Sequence, residues 1–585
     1  MAHASRSVWL LAGLLAPLAL LGLTGDPGVL STARLIGAGT ADTFGHTWGY
    51  AWAAQALQQG QLPILNAPLS WPMGQTWWII DLPVALLLAP VTWLGSAAAS
   101  YHAAFLLHAA VGAAGIAAWL QRRAVGAVHC VAAGALAAIS PFVRGAAISG
   151  VPEALSVLLL PLWMILLEDG LGGARRALFG AAALGALIVL DGAYGAISVA
   201  LVGITVSLGA IGQARARRRV LLRAAIAGLP AVICALGVRA FLRATAHPVM
   251  LNVSQRRGGI DGDWVMRPIG GVDLASFVLP ASALPVGTPP TDHRHIVYVG
   301  FIAIIAAGIA TWRRREARPL AIIAASAGVL SLGATLQLYG TPLLTALPGA
   351  LLQAGGAMNL YRVAGLIPVM LVLMIAIALG APGRSRRWAL IWLLIGAEWL
   401  LGAPIPTMLP TVANPANTVE AWLANQPEPG AVLDLPTDRG VVRPPEPHPQ
   451  RTFFLQSVHR RPIASGMYQR PSILDHAPRI RHFTQSIDRM LKQEAPGYRD
   501  HKRTVRLPPA PSEGSARQIH ARLRAQGFAY VTLDLHQLPD SLAPSCQAWI
   551  EALLGPPAIA DHGRLAWPIP HSSQSPPKSS LEPPR

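Results

Sequence analysis

The sequence LFGAAALGALIVLDGAYGAISVALVGITVSLGAIG at 178–212 is followed at once by QARARRRVLLR at 213–223. Asp191 is the only charged residue of the first stretch, which is long enough for two helices of about 20 apolar residues each. Clustered Arg after an apolar segment is typical of its cytoplasmic end. The stretch therefore predicts two membrane-spanning helices, with Asp191 close to the outer end of the first.

The composition supports the same interpretation for most of the 585-residue chain. Hydrophobic residues make up 53% of it and charged residues 13%, and the mean hydropathy is +0.44. These values predict a polytopic α-helical membrane protein. The net charge of +18 comes mainly from Arg at the ends of apolar blocks, so membrane orientation explains it and we expect no nucleic-acid partner. The three Cys residues form no disulfide or metal pattern.

The arrangement of Arg fixes the expected topology. An uncleaved first helix follows Arg6, which places the N-terminus in the cytoplasm. All later Arg clusters then share the cytoplasmic side only if 77–94 does not cross the membrane, so we predict that this segment is interfacial or re-entrant and that about eleven helices span. The clusters are Arg122–Arg123, Arg175–Arg176, Arg215–Arg223, Arg313–Arg315 and Arg384–Arg387.

The same parity places four parts of the chain outside the membrane. The first is a long outer loop at about 25–100, the second is a loop at Arg144–Glu153, and the third is a further large loop at about 243–295. From Pro415 the composition becomes polar and rich in Pro, with strand-like pieces such as GFAYVTLDL at 527–535, which predicts a small α/β domain. We therefore divide the chain into a transmembrane domain at 1–413, an extracytoplasmic α/β domain at 414–570 and a disordered tail at 571–585.

Ionisable and aromatic residues in the outer loops are candidates for a site. Asp42 and His46 lie one helical turn apart, where an acid could act as a base or only cap a helix start. Arg144 and Arg362 lie near outer helix ends, where positive-inside logic disfavours them, so they could bind a phosphate or form structural ion pairs. The outer Trp residues, among them Trp48 and Trp71, fit either an interfacial belt or a sugar-stacking platform.

Several stretches together resemble the GT-C superfamily of membrane glycosyltransferases, in particular an uncharacterised bacterial branch. They include DTFGHTWGYAWAAQALQQGQLPI at 42–64, APLSWPMG at 67–74, SPFVRGAAISGVPEALSVLLLPLW at 140–163, MNLYRV at 358–363 and AVLDLP at 431–436. The resemblance implies a GT-C-like fold of an apolar helix, a long outer loop with an early Asp, many further helices and an outer C-terminal domain. It also implies transfer of a sugar from a polyprenyl-phosphate carrier.

The resemblance assigns roles by position. Asp42 matches the catalytic carboxylate of the first outer loop, and Glu153 matches the second acidic position, where Asp is more usual in the superfamily. His46, Arg144, Arg362, Trp48 and Trp71 become candidates for binding the donor phosphate or sugar. If a divalent metal ion takes part, Asp42, Glu153 and His46 are its candidate ligands. The expected partners are a polyprenyl-phosphate-linked sugar and membrane lipids of a bacterial inner membrane, with the acceptor left open.

Two other functions remain open from the sequence. Asp191 is an ionisable group inside a predicted span, as a proton-coupled transporter or a flippase of lipid-linked material would have. We find no inverted repeat that would favour transport. The C-terminal domain would also suit a non-catalytic scaffold for envelope assembly.

Overall fold

The computed structural model divides the chain into two compact units, and each is described by itself. The membrane unit comprises Met1–Gly39, Ile80–Thr245 and Val253–Ala413, and the sheet unit comprises Thr40–Ile79, Ala246–Asn252 and Asn414–Arg585. The residues that the structure describes are 2–38, 41–64, 68–69, 71, 81–192, 195–214, 216–245, 272–279, 297–338, 341–345, 347–354, 360–380, 389–403, 406–415, 418–436, 450–464, 507–538, 540 and 542–571.

The membrane unit is built almost entirely from helices. Its α-helices are α1 (Ala2–Gly22), α3 (Leu82–Leu87), α4 (Ala89–Leu94), α5 (Ala97–Gln121), α6 (Ala127–Ala138), α7 (Pro141–Ser149), α8 (Leu160–Gly172), α9 (Arg175–Asp191), α10 (Gly195–Gln213), α11 (Arg217–Thr245), α12 (Phe301–Arg313), α13 (Arg318–Ser331), α14 (Gly349–Ala354), α15 (Leu366–Leu379) and α16 (Ala389–Ala397). Short 3₁₀ helices lie at Pro27–Val29, Pro152–Leu159, Leu274–Phe277, Arg315–Ala317 and Leu360–Gly365, and a π-helical turn at Glu398–Gly402.

Within the described ranges, six helices are long and apolar enough to cross a membrane. They are Ala97–Gln121, Ala127–Ser149, Pro152–Gly172, Gly195–Gln213, Arg217–Phe241 and Leu360–Leu379, and shorter apolar helices lie at Arg6–Gly22, Phe301–Arg313 and Leu390–Gly402. The protein is therefore a multi-pass membrane protein, as its composition predicted. The count of about eleven spans stays a prediction.

The segment that we expected not to cross the membrane is broken in the structure. Its described part, from Asp81 onward, forms α3 and α4, six residues each. A six-residue helix is about 9 Å long, far short of a bilayer core. The break follows from the sequence, because Pro lies in the first turn of each helix and favours a new helix start. This agrees with the re-entrant or interfacial prediction for that part.

Small residues let the central helices approach closely. α5 packs against α1, α6 and the Pro152–Leu159 turn, and a Cβ atom at Gly112 would overlap Leu158. Contacts of this kind are typical of helix interfaces in membranes, where close backbone approach gives most of the packing energy. α5 begins after Ser96, whose Oγ accepts from the Ala99 N–H at 3.1 Å, a standard N-cap.

The ends of these helices differ in charge. At one end, which we name the basic end, Arg122 binds Asp169, and Arg123 lies 2.6 Å from Glu168. Arg223 donates to the Leu171 carbonyl oxygen there at 2.9 Å. Both acids at this end are therefore paired with Arg. Pro152–Gly172 is one continuous helical segment, so Glu153 lies at its opposite end, which we name the site end.

Four short β-strands, in two pairs, accompany the bundle in the described residues. β1 (Arg34–Ile36) pairs antiparallel with β4 (Thr411–Ala413), so the N-terminal and C-terminal parts of the membrane unit are hydrogen-bonded to each other. β2 (Thr335–Leu338) pairs antiparallel with β3 (Thr341–Thr345) as a hairpin between α13 and α14.

The sheet unit contains a four-stranded mixed sheet with the order β5-β6-β8-β7. Its strands are β5 (Ala431–Leu435), β6 (Phe528–Asp534), β7 (Ile559–Asp561) and β8 (Arg564–Pro568), and its helices are α2 (Ala41–Gln58), α17 (Thr418–Asn425), α18 (Gln450–His459), α19 (Glu513–Ala525) and α20 (Ala543–Leu554). β5 and β6 are parallel, and β8 pairs antiparallel with both β6 and β7.

The sheet unit takes in residues that the sequence division had placed in the transmembrane domain. α2 packs on α18, and the Trp71 backbone N–H donates to the Ile463 carbonyl oxygen at 2.9 Å. The apolar pattern of α2 could not indicate which unit this helix joins. A helix in a loop beside the membrane and a helix in an α/β core both need one apolar face for burial.

Some expectations lie outside the described residues. These are the interior of the 243–295 loop, the Arg384–Arg387 cluster, residues 77–80 and the tail from 572 onward.

Candidate functional site

A carboxylate and a guanidinium meet at the site end of the membrane unit. The Arg362 Nη1 donates to Glu153 Oε1 at 2.7 Å, and the two side chains are 13% and 1% exposed. Each residue lies in a 3₁₀ helix that precedes a longer helix, at Pro152–Leu159 and Leu360–Gly365. Both therefore sit where a helix starts at the same end of the bundle.

The pair lines a small cleft with an internal volume of about 10 Å³, room for about one water molecule. The other lining residues are Ala154, Ser156, Val157, Gly192 and Gly195. Apart from the charged pair the lining is therefore small or apolar.

A second buried pair lies next to this cleft along the chain. His108 Nε2 is 3.0 Å from Asp191 Oδ2, and both side chains are almost fully buried. His108 Nδ1 lies 2.9 Å from the Ala104 carbonyl oxygen, which can only accept, so Nδ1 carries a proton. Nε2 and Oδ2 then share a further proton, and the pair is a candidate proton-holding group inside the bundle.

Gly192 connects the two pairs. It follows Asp191 directly, and a Cβ added there would lie 3.3 Å from the Glu153 carbonyl oxygen and 3.6 Å from Glu153 Cγ. The Asp191 carbonyl oxygen also accepts from the Asp81 N–H at 2.7 Å. The position of Asp191 therefore sets how closely the end of α9 packs on Glu153.

Arg144 has backbone partners within the membrane unit. Its side chain is fully buried, and it donates to the Trp399 carbonyl oxygen at 2.9 Å and to the Pro406 carbonyl oxygen. It cross-links two backbone segments of the membrane unit, so a donor phosphate could reach it only if that packing opened. The sequence signal was correct in marking an unusual Arg, but it could not reveal buried carbonyl partners.

Trp48 and Trp71 both make contacts within the sheet unit. Trp48 is 1% exposed, stacks on Trp52 at 6.5 Å and donates to Gln456 Oε1 at 2.8 Å. Trp71 donates its indole N–H to the Gln526 carbonyl oxygen at 2.8 Å and packs against the core of the sheet. These contacts favour a structural use of both indole rings, because a packed Trp usually satisfies its N–H in this way.

Asp42 and His46 lie on α2 as expected, one turn apart, and both are half-buried. Asp42 is in the first turn of the helix, where a carboxylate complements the helix dipole. That position keeps the structural interpretation of Asp42 open beside the catalytic one. Because Asp42 belongs to the sheet unit and Glu153 to the membrane unit, a site shared by them stays a prediction.

The described residues contain no group of three or more His, Cys, Asp or Glu arranged to hold a metal ion. In addition, the Arg362 guanidinium occupies one oxygen of Glu153 and would repel a cation there. The Glu153 cleft in this arrangement does not fit a divalent metal, and we derive no step through one.

His108 is the residue that the sequence analysis missed. It stands alone among apolar residues in FLLHAA at 105–110. An ionisable residue inside a membrane span is by itself a signal of a functional or paired group. Its partner, however, lies 83 positions away, and no local pattern indicates such a pairing.

Comparison with known proteins bears on the fold. No protein-family model and no curated protein matches the sequence. The cryo-EM structure of the arabinofuranosyltransferase AftD from Mycobacteria aligns with a TM-score of 0.52 at 18% identity, over 96% of this chain and 40% of that chain. This chain thus spans less than half the length of AftD.

Weaker alignments involve an archaeal enzyme. The oligosaccharyltransferase of Archaeoglobus fulgidus with a tethered acceptor peptide gives a TM-score of 0.48 at 13% identity, over 94% of this chain and 71% of that chain. The same organism's AglB, in complex with an inhibitory peptide and a dolichol-phosphate, gives 0.49 at 14% identity over the same shares. The fold comparison therefore rests on AftD, and the chain has the GT-C-like fold that its sequence resembles.

Proposed function

We propose that this chain is an integral-membrane glycosyltransferase that moves a sugar from a polyprenyl-phosphate carrier to a glycan, lipid or protein of the cell envelope. The observation that carries the proposal is the cleft at the site end, where Glu153 and Arg362 meet in a GT-C-like fold. A phosphate-linked donor needs a cationic contact at the membrane surface, and Arg362 lies at a helix start of the bundle.

The chemistry requires a base and a contact for the leaving phosphate. The acceptor hydroxyl attacks the anomeric carbon of the donor sugar, and its proton passes to a carboxylate. The bond between the anomeric carbon and the phosphate oxygen breaks, and the electron pair leaves with the polyprenyl phosphate. In this proposal Asp42 takes the proton, as the resemblance implies, and the Arg362 guanidinium stabilises the leaving phosphate.

Glu153 orients Arg362 in this proposal. A guanidinium has five N–H donors, and Glu153 fixes one of them, on Nη1, at 2.7 Å. Holding the long Arg side chain in one rotamer before the donor arrives removes part of the entropy cost of binding. The donor phosphate then meets an oriented fork rather than a mobile side chain.

A transporter or flippase of lipid-linked material is the second candidate. The buried His108–Asp191 pair favours it, since such groups serve as proton relays in transporters. A non-catalytic assembly scaffold is the third candidate. Purified protein in liposomes separates them, because transfer changes the acceptor, transport only moves labelled lipid across the bilayer, and a scaffold does neither.

We further propose the bacterial inner membrane as the location, with a cytoplasmic N-terminus and an outer C-terminal domain. Reporter fusions after Arg123 and after Pro415 test this orientation. We expect a cytoplasmic signal at the first and an outer signal at the second. An outer signal at Arg123 would reverse the assigned topology.

The catalytic assignment is tested by Asp42→Asn in membranes that contain the lipid-linked sugar and acceptor. This variant removes the proton acceptor and keeps the side-chain shape, so transfer should fall roughly 100-fold or more with unchanged expression. Normal transfer by a well-expressed variant would leave Asp42 as a helix-start residue and favour the other two candidates.

The phosphate contact is tested by a matched pair of conservative variants. Arg362→Lys keeps the charge and loses the planar fork, so donor binding should weaken about 10-fold. Arg122→Lys makes the same change in an Arg–carboxylate pair at the basic end and should leave transfer unchanged. Equal activity of both variants would remove Arg362 from the proposed site.

A further inference from the structure

The β2–β3 hairpin and α14 expose leucine side chains. Leu343 and Leu344 on β3 are each 56% exposed, and Leu351 on α14 is 79% exposed. Adjacent residues of a strand point to opposite faces, so β3 is open on both of its faces. We name residues 335–354 the apolar flap.

The flap lies within a long stretch without charge. Residues 319–361 contain no Asp, Glu, Lys, Arg or His. Exposed segments in water normally carry charged side chains, and apolar segments without them are typical of contact with lipid. The sequence and the exposure thus indicate the same surroundings.

The connections of the flap place it at one end of the bundle. It joins the C-terminal end of α13 to the segment Leu360–Leu379, one of the helices able to span a membrane, and α13 packs against α15. The Leu347 N–H donates to the Ala334 carbonyl oxygen at 3.1 Å, which closes the base of the flap. Arg362 lies in the 3₁₀ helix Leu360–Gly365, the next described element along the chain, so the flap belongs to the site end.

The backbone limits how deep the flap can lie. A two-stranded ribbon leaves N–H and C=O groups on its outer edges, and such groups are not tolerated in the hydrocarbon core. Thr335, Gln337 and Thr341 add further polar groups. The head-group region accommodates both apolar side chains and polar backbone, and it is the depth at which both requirements are met.

We propose that the apolar flap inserts into the membrane interface at the site end, with phospholipid as its partner. Leu343, Leu344 and Leu351 then enter the boundary between head groups and acyl chains. This contact holds the following helix start, and with it Arg362, at the depth of the lipid phosphates. The insertion itself does not depend on the proposed enzymatic activity.

The test uses single-cysteine variants of the full chain in nanodiscs. Cys130, Cys234 and Cys546 are replaced by Ala, and Leu343→Cys, Leu344→Cys or Leu351→Cys is labelled with nitrobenzoxadiazole. Arg517→Cys, on an exposed position of α19, is the control. Phospholipids brominated near the head group should quench the flap labels about twofold or more and leave the control unchanged.

Two results would overturn the proposal. One is quenching at the flap no greater than at Arg517. The other is stronger quenching by lipids brominated near the acyl-chain ends, which would place the flap in the hydrocarbon core. A second measurement avoids the cysteine-free background: benzoylphenylalanine introduced at position 344 of the native sequence should cross-link to phospholipid on illumination. Absence of lipid cross-links in folded protein would also contradict insertion.

Discussion

The basic end and the site end of the membrane unit hold the same kinds of ion pair in opposite surroundings. At the basic end, the side chains of Arg122 and Asp169 are 41% and 37% exposed. At the site end, those of Arg362 and Glu153 are 13% and 1% exposed. Water reaches the first pair freely and is nearly excluded from the second.

This difference in exposure distinguishes a role in membrane orientation, at the basic end, from a role in chemistry, at the site end. Exposed pairs contribute little to stability, about 0–1 kcal/mol, so we expect the Arg residues at the basic end to act mainly through the orientation of the chain in the membrane. Burying a charged pair carries a desolvation cost that its attraction often only offsets. A pair retained in that position is therefore better explained by a function than by stability, and this supports the proposed role of Arg362.

Removal of one charge from the buried pair should give the largest difference in stability between the two ends. Arg362→Met leaves the Glu153 carboxylate buried without its counter-ion and should destabilise the protein by about 3–5 kcal/mol. The double variant Glu153→Gln with Arg362→Met removes both charges and should recover most of this loss. Thermal unfolding in nanodiscs measures both, and equal unfolding temperatures would show that no charge is left uncompensated.

A buried histidine extends the comparison to the sheet unit. Burial, together with the positive charges of Arg564 and Arg461, lowers the pKa of His459 from 6.5 to about 3. The unfolded chain therefore binds a proton in the window from pH 6.5 to 3 that the folded chain does not, and stability falls as the pH falls. By pH 5 the loss should be about 2 kcal/mol.

The matched variant is His459→Asn, which does not titrate. His459 Nδ1 accepts from the Arg461 N–H at 3.1 Å, and the Asn amide oxygen can take over that contact. Burial raises the pKa of Glu420, which makes stability rise as the pH falls, in the native protein and in the variant alike. The difference between the two stability curves therefore reports the contribution of His459. Parallel stability curves for the two proteins between pH 7 and 5 would contradict the prediction.

Gly192 offers a smaller test at the site end. Gly192→Ala places a Cβ 3.3 Å from the Glu153 carbonyl oxygen and should destabilise by about 1–2 kcal/mol through crowding. Gly180→Ala on the same helix α9 meets only Leu166 side-chain atoms, at 3.5 Å, and should stabilise slightly, as Ala does in a helix. Unfolding temperatures that move in the same direction would contradict close packing at Gly192.

The smallest effect is expected at the basic end. Arg122→Gln removes the exposed pair with Asp169 and should cost less than about 1 kcal/mol, with the cost vanishing at high salt. Denaturation at low and high ionic strength measures it. A salt-independent loss as large as that of Arg362→Met would remove the distinction between the two ends.

Local and long-range features were not equally predictable from the sequence. The helical membrane class follows from the composition, and the break before Leu94 follows from the Pro residues there. The contact between Glu153 and Arg362 joins residues 209 positions apart, and no local pattern encodes it. For the same reason the sequence could mark Arg144 as unusual but could not tell a backbone cross-link from a phosphate contact.

The membership of α2 in the sheet unit has a consequence for synthesis. The indole of Trp48 bonds to a residue 408 positions later, and that of Trp71 to one 455 positions later. Chains are made from the N-terminus, so these aromatic rings leave the ribosome long before their partners exist. Nearly the whole membrane bundle is inserted in the meantime. A chain that stops before Gln526 leaves Trp71 without its bonding partner, and this would mark unfinished molecules for proteases that recognise exposed apolar side chains.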